Sequence, residues 1–372
     1  MPLQRTLHLH AGPHKTASTY LQARLQANRR ALERLGLRYP TPWREHSHRH
    51  LARALRAGRR EVFDQLLRRQ GRWSGDLLLS AEHFVPLLER REAIEQLRQA
   101  AATHGYRLHV ISVVRPQEEL LNSFYAHALG RLYGSPGFRA YVRAQLAGRR
   151  VRGAGRRRWI HMAPLALDFE RRFAPLLAAG GVRASFLPFR PRQGDLYEQL
   201  MATLDLPAGP WRPAPPDQAN EQLGRRGLGV ALLLNQRLDG LPLRRNRLIA
   251  EHGLNRLVER LRERARKRGW VQERFSGWEA GLLERVRQRY GAANGRFAAR
   301  VWGQPWAACF AAAGPAATGP ADAEVSPGIP APAGMVLDGE VEREAERLFE
   351  RYRRDLPAPL RRAAERTCPS RA

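Results

Sequence analysis

A chain of 372 residues with 43% hydrophobic content can bury one large core or two modest ones and has an ordinary globular composition. No run of about 18 apolar residues occurs, which excludes a helical membrane span. The only two cysteines, Cys309 and Cys368, exclude a disulfide framework or a cysteine-built metal site in the rest of the chain. The net charge of +29 fits an anionic ligand, an acidic polymer or nucleic acid. Its arginines are spread through a chain also rich in Ala, Gly and Pro, so compositional bias shares in the explanation. The first ten positions carry no apolar signal core, and the expected location is cytoplasmic.

In chain order, Leu7 and Leu9 alternate with His8 and His10, the period of a short strand. Gly12 and Pro13 break it, and from Tyr20 to Leu37 the apolar residues Leu21, Leu25, Leu32 and Leu35 fall on helical spacing. His46 to Gln70 reads as a basic helix with a solvated start, since His46, His48 and His50 do not share one helical face as a metal site would need. Asp76 to Phe84 reads as a buried strand and Pro86 to Ala102 as a helix. Arg107 to Val114 is the most apolar strand, followed by a helix from about Gln117 to Ala147. Gly148 to Trp159 is a glycine-broken basic run, Ala163 to Leu177 a helix, and Arg183 to Phe189 a fourth strand. Helices follow at Gly194 to Leu204, from Asn220 through Arg268, and at Gly277 to Trp302. Strands alternating with helices predict an α/β fold, a parallel sheet with helices on both faces. The expected organisation is one α/β domain over 1–306, an Ala/Pro/Gly-rich linker over 307–335 and a charged helical tail over 336–372.

The junction of the first strand and helix carries the chemistry. Gly12, Pro13, His14, Lys15, Thr16, Ala17, Ser18 and Thr19 place one lysine and three hydroxyls at a helix N-terminus, where free amides and the helix dipole favour an anion. Lysine occurs only at Lys15 and Lys267, so its use in this loop stands out against the arginine background. The alternative is an ordinary strand-to-helix turn with hydroxyl caps. At the second strand's end Glu82 or His83 can act as a general base, or Ser80 and Glu82 can cap the next helix. Arg115 ends the third strand and Ser123 lies eight residues on, so both can reach one anion.

The loop lacks the glycine that precedes the lysine in a nucleotide-binding Walker A motif. It resembles instead the 5′-phosphosulfate loop, G-P-x-K-T-G-[ST]-T, of bacterial sulfotransferases that use 3′-phosphoadenosine-5′-phosphosulfate (PAPS). Gly12, Pro13, Lys15, Thr16, Ser18 and Thr19 match, and Ala17 stands where that family has glycine. Arg115 with Ser123 resembles the family's 3′-phosphate site, and Glu82 sits where its carbohydrate-acting members keep a glutamate base. Asn220, Leu223 and Asn235, and then Asn294, Arg296 and Phe297, resemble late segments of the same domain. The resemblance implies a P-loop-NTPase-like sheet and transfer of a sulfuryl group from PAPS to a hydroxyl of a carbohydrate or glycan, without a metal. Lys15 and Glu82, or His83, would be catalytic, and no nucleic acid is expected as partner. The alternatives are a P-loop kinase and a non-catalytic arginine-rich binder of nucleic acid or acidic polysaccharide.

Overall fold

A computed structural model describes residues 5–41, 45–134, 136–149, 165–189, 194–215, 222–240, 253–310, 334–358 and 361. The elements begin with β1 (Arg5–His10), α1 (Ser18–Ala27), α2 (Arg29–Arg34), β2 (Leu37–Arg38), α3 (Arg49–Arg56), α4 (Glu61–Arg69) and β3 (Asp76–Ser80). A 3₁₀ turn (Glu82–Phe84) leads to α5 (Val85–Leu88), α6 (Arg91–Thr103), β4 (Tyr106–Val114), α7 (Gln117–Gly130) and α8 (Phe138–Leu146). Then come α9 (Phe169–Leu177), β5 (Val182–Pro188), α10 (Leu196–Thr203), α11 (Gly224–Gly240) and α12 (Leu254–Lys267). A second 3₁₀ turn (Trp270–Gln272) precedes α13 (Ala280–Trp302), α14 (Trp306–Phe310) and α15 (Gly339–Arg354).

The chain groups into two compact units, one of Met1–Pro116, Ala166–Asn220 and Arg289–Gly314, the other of Gln117–Leu165, Glu221–Gln288 and Pro315–Ala372. This differs from the expected division at 306 and 335, because the span 1–306 contributes to both units and the terminal segment joins the second.

The first unit holds the sheet. Five strands run in the order β2-β3-β1-β4-β5 with every neighbouring pair parallel, which makes this an α/β fold. One face of the sheet, with Leu7, Leu9, Leu79 and Val110, packs on Leu67, Ile94, Phe173 and Phe297. The other, with Leu78, Ile111 and Val113, packs on Leu21, Leu25, Tyr197 and Met201. Both faces are therefore covered, and the polar half of the alternating β1 pattern is buried too. His8 and His10 survive there because they are paired. His8 Nδ1 lies 2.9 Å from His109 Nδ1, and His109 Nε2 lies 2.9 Å from Ser185 Oγ. His8 Nε2 faces Asp76 Oδ2 at 3.4 Å, so one polar row crosses β3, β1, β4 and β5. A second group joins His10 Nδ1 to Ser80 Oγ at 2.7 Å, and the Ser80 amide donates to His48 Nδ1 at 3.0 Å. His48 is thus a buried extension of the β3 edge and not part of a solvated helix start.

Several helices read as continuous are broken, each for a local reason. Asn28 ends α1, its amide donating to Arg24 O at 2.8 Å and to Arg212 O at 3.0 Å. Gly58, at φ +81°, divides the 46–70 helix into α3 and α4. Leu132 (φ +57°) and Gly134 (φ +139°) separate α7 from α8. The short strand β2 was not expected: two residues are too few to show a period. Most of the basic run 148–159 and of the linker 307–335 lies outside the described residues.

In the second unit α11 packs on α7, α12 and α15. The terminal helix α15 turns its stripe of Val341, Ala345, Leu348 and Tyr352 inward, as its spacing predicts, together with Phe349. Asp338 caps it, accepting from the amides of Glu340 at 3.1 Å and Val341 at 3.0 Å. The chain before it runs so close to α11 that a Cβ on Gly229 would stand 2.2 Å from the Val336 carbonyl. Glu344 is buried against Arg264 at 2.8 Å, Arg347 at 3.1 Å and Arg268 at 3.6 Å. A carboxylate can be buried here because these guanidiniums replace the water it loses.

Two outcomes follow from this packing. Burial lowers the pKa of His10 and His48 to about 4 and of His109 to about 3, from an ordinary 6.5. As pH falls from 6.5 toward 4 the unfolded chain binds protons the native one refuses, so stability is present above that window and lost within it. The loss at pH 5 should be on the order of 2 kcal/mol for each ring held neutral, roughly 6 kcal/mol for the three. Equal urea midpoints at pH 7 and pH 5 would show that these rings are not held neutral. In the second unit, Leu348→Ala should cost about 2–4 kcal/mol in the same assay. A change below about 0.5 kcal/mol, the range of an ordinary surface substitution, would mean that α15 is not seated in a core.

Candidate functional site

The strand order places the carboxyl end of β1 between those of β3 and β4, the crevice where open parallel sheets bind ligands. The loop after β1 is pinned there at its first residue. The Ala11 amide donates to Ile111 O at 2.8 Å, and Ser112 Oγ donates to Ala11 O at 3.0 Å. Gly12 comes next in a tight space, where a Cβ would lie 3.0 Å from His10 Nε2 and 3.1 Å from Thr16 Oγ1. Thr16 Oγ1 donates to the Pro13 carbonyl at 2.5 Å and closes the turn.

Two residues of this loop have left-handed backbones, Lys15 at φ +69° and Ala17 at φ +60°. The left-handed region costs a residue with a side chain roughly 1–2 kcal/mol. Arg115 offsets part of that. Its Nη1 donates to the Lys15 carbonyl at 2.8 Å, and its guanidinium lies 4.9 Å from the centroid of the Phe189 ring. Arg115 thereby supports the loop directly. Ser123 is buried on α7, in the second unit.

Helix α1 begins at Ser18, and Ala17, at its N-cap position, supplies no side-chain cap. Ser18 does not cap either: its hydroxyl donates to Glu82 Oε1. Of the loop's three hydroxyls, those of Thr16 and Ser18 are engaged within the protein, and Thr19 is exposed. Glu82 follows β3 in the 3₁₀ turn. The capping alternative fails there, since neither that turn nor α5 has a side-chain cap and Ser80 Oγ is bonded to His10.

The other carboxylate oxygen, Glu82 Oε2, lies 3.6 Å from His14 Nδ1 and 4.0 Å from His83 Nδ1. The two rings meet edge to face at 5.5 Å between centroids. The side chains are 53% exposed at His14, 21% at Glu82 and 18% at His83. Loss of solvent lowers the pKa of His14; Glu82 opposes this, while Lys15, Arg172 and Arg56 add to it. Loss of solvent also lowers His83, reinforced by His14, opposed by Glu82, and reinforced again by Arg53 and Arg56. Both rings are thus favoured as neutral imidazoles, able to accept a proton.

The structure therefore brings Lys15, Ser18, Glu82, His83 and His14 to one sheet edge, with Arg115 behind the loop. Sequence reasoning placed His14 only among the donor-binding loop residues and missed its approach to Glu82. It also missed Arg53 and Arg56 on α3 and Arg172 on α9, whose charges reach the imidazoles. No short-range signal marks them, because these arginines are about thirty to ninety residues from Glu82. No protein-family model, curated protein or solved structure matches the chain.

The strain at position 17 is testable. Ala17→Gly removes the left-handed penalty of about 1–2 kcal/mol and adds about 0.5–1 kcal/mol of chain entropy to be lost on folding. The variant should be more stable by a few tenths to about 1 kcal/mol in urea unfolding. Destabilisation would show that the left-handed geometry carries no strain.

Proposed function

We propose that this chain is a PAPS-dependent sulfotransferase that moves a sulfuryl group to a hydroxyl, with a carbohydrate or glycan as the acceptor class. The observation that carries this reading is the strained, uncapped loop 12–19, bearing Lys15, beside Glu82 and two neutral imidazoles. Uncapped first-turn amides and a left-handed residue leading into a helix form the kind of concavity that binds phosphate and sulfate oxygens. The chain's residues fit the donor in the following roles. The loop amides, with Thr19, hold the 5′-phosphosulfate. Lys15 balances the negative charge that grows on the departing phosphate oxygen, where preorganised positive charge lowers the barrier. Ser18 keeps Glu82 in place. The carboxylate–imidazole group receives the acceptor's proton, which has to leave as the oxygen attacks. By resemblance Arg115 would serve the donor's 3′-phosphate, and it holds the loop besides.

One observation favours a second reading, phosphoryl transfer from a magnesium-bound nucleoside triphosphate. A loop hydroxyl joined to a carboxylate at the end of the neighbouring strand, as Ser18 is to Glu82, is also the pair that holds Mg²⁺ in P-loop enzymes. Donor preference separates the two. Adenosine 3′,5′-bisphosphate should raise the melting temperature, by several degrees at about a hundred times its Kd, where binding adds about 2.7 kcal/mol. ADP with Mg²⁺ should raise it much less. An equal or larger shift with ADP and Mg²⁺ would favour the phosphoryl reading.

A further inference from the structure

The three titratable groups beside Ser18 are not equivalent. Glu82 has one oxygen taken by the Ser18 hydroxyl and the other facing two imidazoles, and its side chain is mostly covered. His83 is the least exposed of the three, and its Nε2 lies 3.5 Å from Arg53 Nη2. A guanidinium only donates, so in a neutral ring that nitrogen holds the lone pair and turns it toward Arg53. His14 is the most exposed, it adjoins Lys15 in the loop itself, and its Nδ1 is the nitrogen that faces the carboxylate. A carboxylate there selects the tautomer with hydrogen on Nδ1 and the lone pair on Nε2.

We propose that His14 is the catalytic base and that Glu82 is a positioning residue acting through it. This rests on the sulfuryl-transfer reading. As the acceptor oxygen forms its bond to sulfur, its proton passes to His14 Nε2. The bond from sulfur to the bridging phosphate oxygen breaks, and that oxygen keeps the electron pair beside Lys15. The imidazolium then loses the proton to solvent. Glu82 orients the ring and balances the imidazolium charge while it lasts, and Ser18 fixes the carboxylate. Besides loss of solvent, the groups that shift the ring's pKa are Glu82 from the turn after β3, Lys15 from the loop, Arg172 from α9 and Arg56 from α3; the neighbouring His83 ring, which Arg53 also acts on, stands beside it. Of these only Glu82 favours the protonated ring. Its removal should therefore move the titration of His14 to lower pH.

The test uses the full chain and its His14→Gln, Glu82→Gln and His83→Gln variants. Each is measured for the thermal shift with adenosine 3′,5′-bisphosphate, and for PAPS consumption between pH 5 and 9 with water as the acceptor, giving sulfate and adenosine 3′,5′-bisphosphate. His14→Gln should keep the shift, lose about 10²–10⁴-fold in rate at pH 7 and lose the acidic limb of the profile. Glu82→Gln should lose less and move that limb to lower pH, and His83→Gln should leave it in place. A limb kept by His14→Gln and abolished by Glu82→Gln would assign the base to Glu82. A limb lost only in His83→Gln would assign it to His83. The His14 ring titration, followed by NMR, gives a readout independent of turnover: no fall in its pKa in Glu82→Gln would overturn the pairing. No thermal shift even in the unaltered chain would instead sink the sulfuryl-transfer reading, and the base role with it.

Discussion

The loop between β1 and α1 holds two residues with side chains in the left-handed region, and much of the first unit serves to keep them there. Neither Lys15 nor Ala17 would adopt that conformation on its own preference. The loop is anchored to β4 through Ala11, closed on itself by Thr16 and Pro13, and held from behind by Arg115 on the Lys15 carbonyl. Strained backbones persist only where the surroundings over-determine them, and they gather where a ligand must meet preset geometry. Here the result is a helix start without a side-chain cap at the carboxyl end of the central strand.

The sheet beneath has its own constraint. Polar side chains on β1 are buried by helices on both faces, so each needs a partner of the same layer. His8 finds His109 and Asp76, and His10 finds Ser80, which also engages Gln22 and His48. Ser80 and Glu82 are two residues apart, so the bonds that register β1 against β3 also place the carboxylate opposite Ser18. The histidines under the loop and those beside it are kept neutral mainly by the same cause, loss of solvent. Structure and proposed chemistry thus depend on one property of this part of the chain.

The second unit is stabilised differently. Its terminal helix α15 combines an apolar stripe with a buried carboxylate, and Arg264, Arg268 and Arg347 converge on Glu344. Some of the chain's excess of arginine is therefore structural. An arginine-rich composition can support such a site because a guanidinium offers several donors at fixed angles and is less costly to desolvate than an ammonium.

The sequence alone determined the α/β class, the strands β1, β3, β4 and β5, the strand–loop–helix junction at Lys15 and the inward stripe of α15. These are local patterns: alternation, apolar runs, turn residues and helical spacing are set by neighbours along the chain. Only the tertiary structure decided that the alternating face of β1 is buried, that Ser18 turns to Glu82 and not to its own helix, and that His14 faces that carboxylate. It also decided that α15 belongs to a core. Each of these depends on residues brought together across roughly sixty to a hundred positions by strand order and helix packing, and such proximity leaves no trace in local spacing.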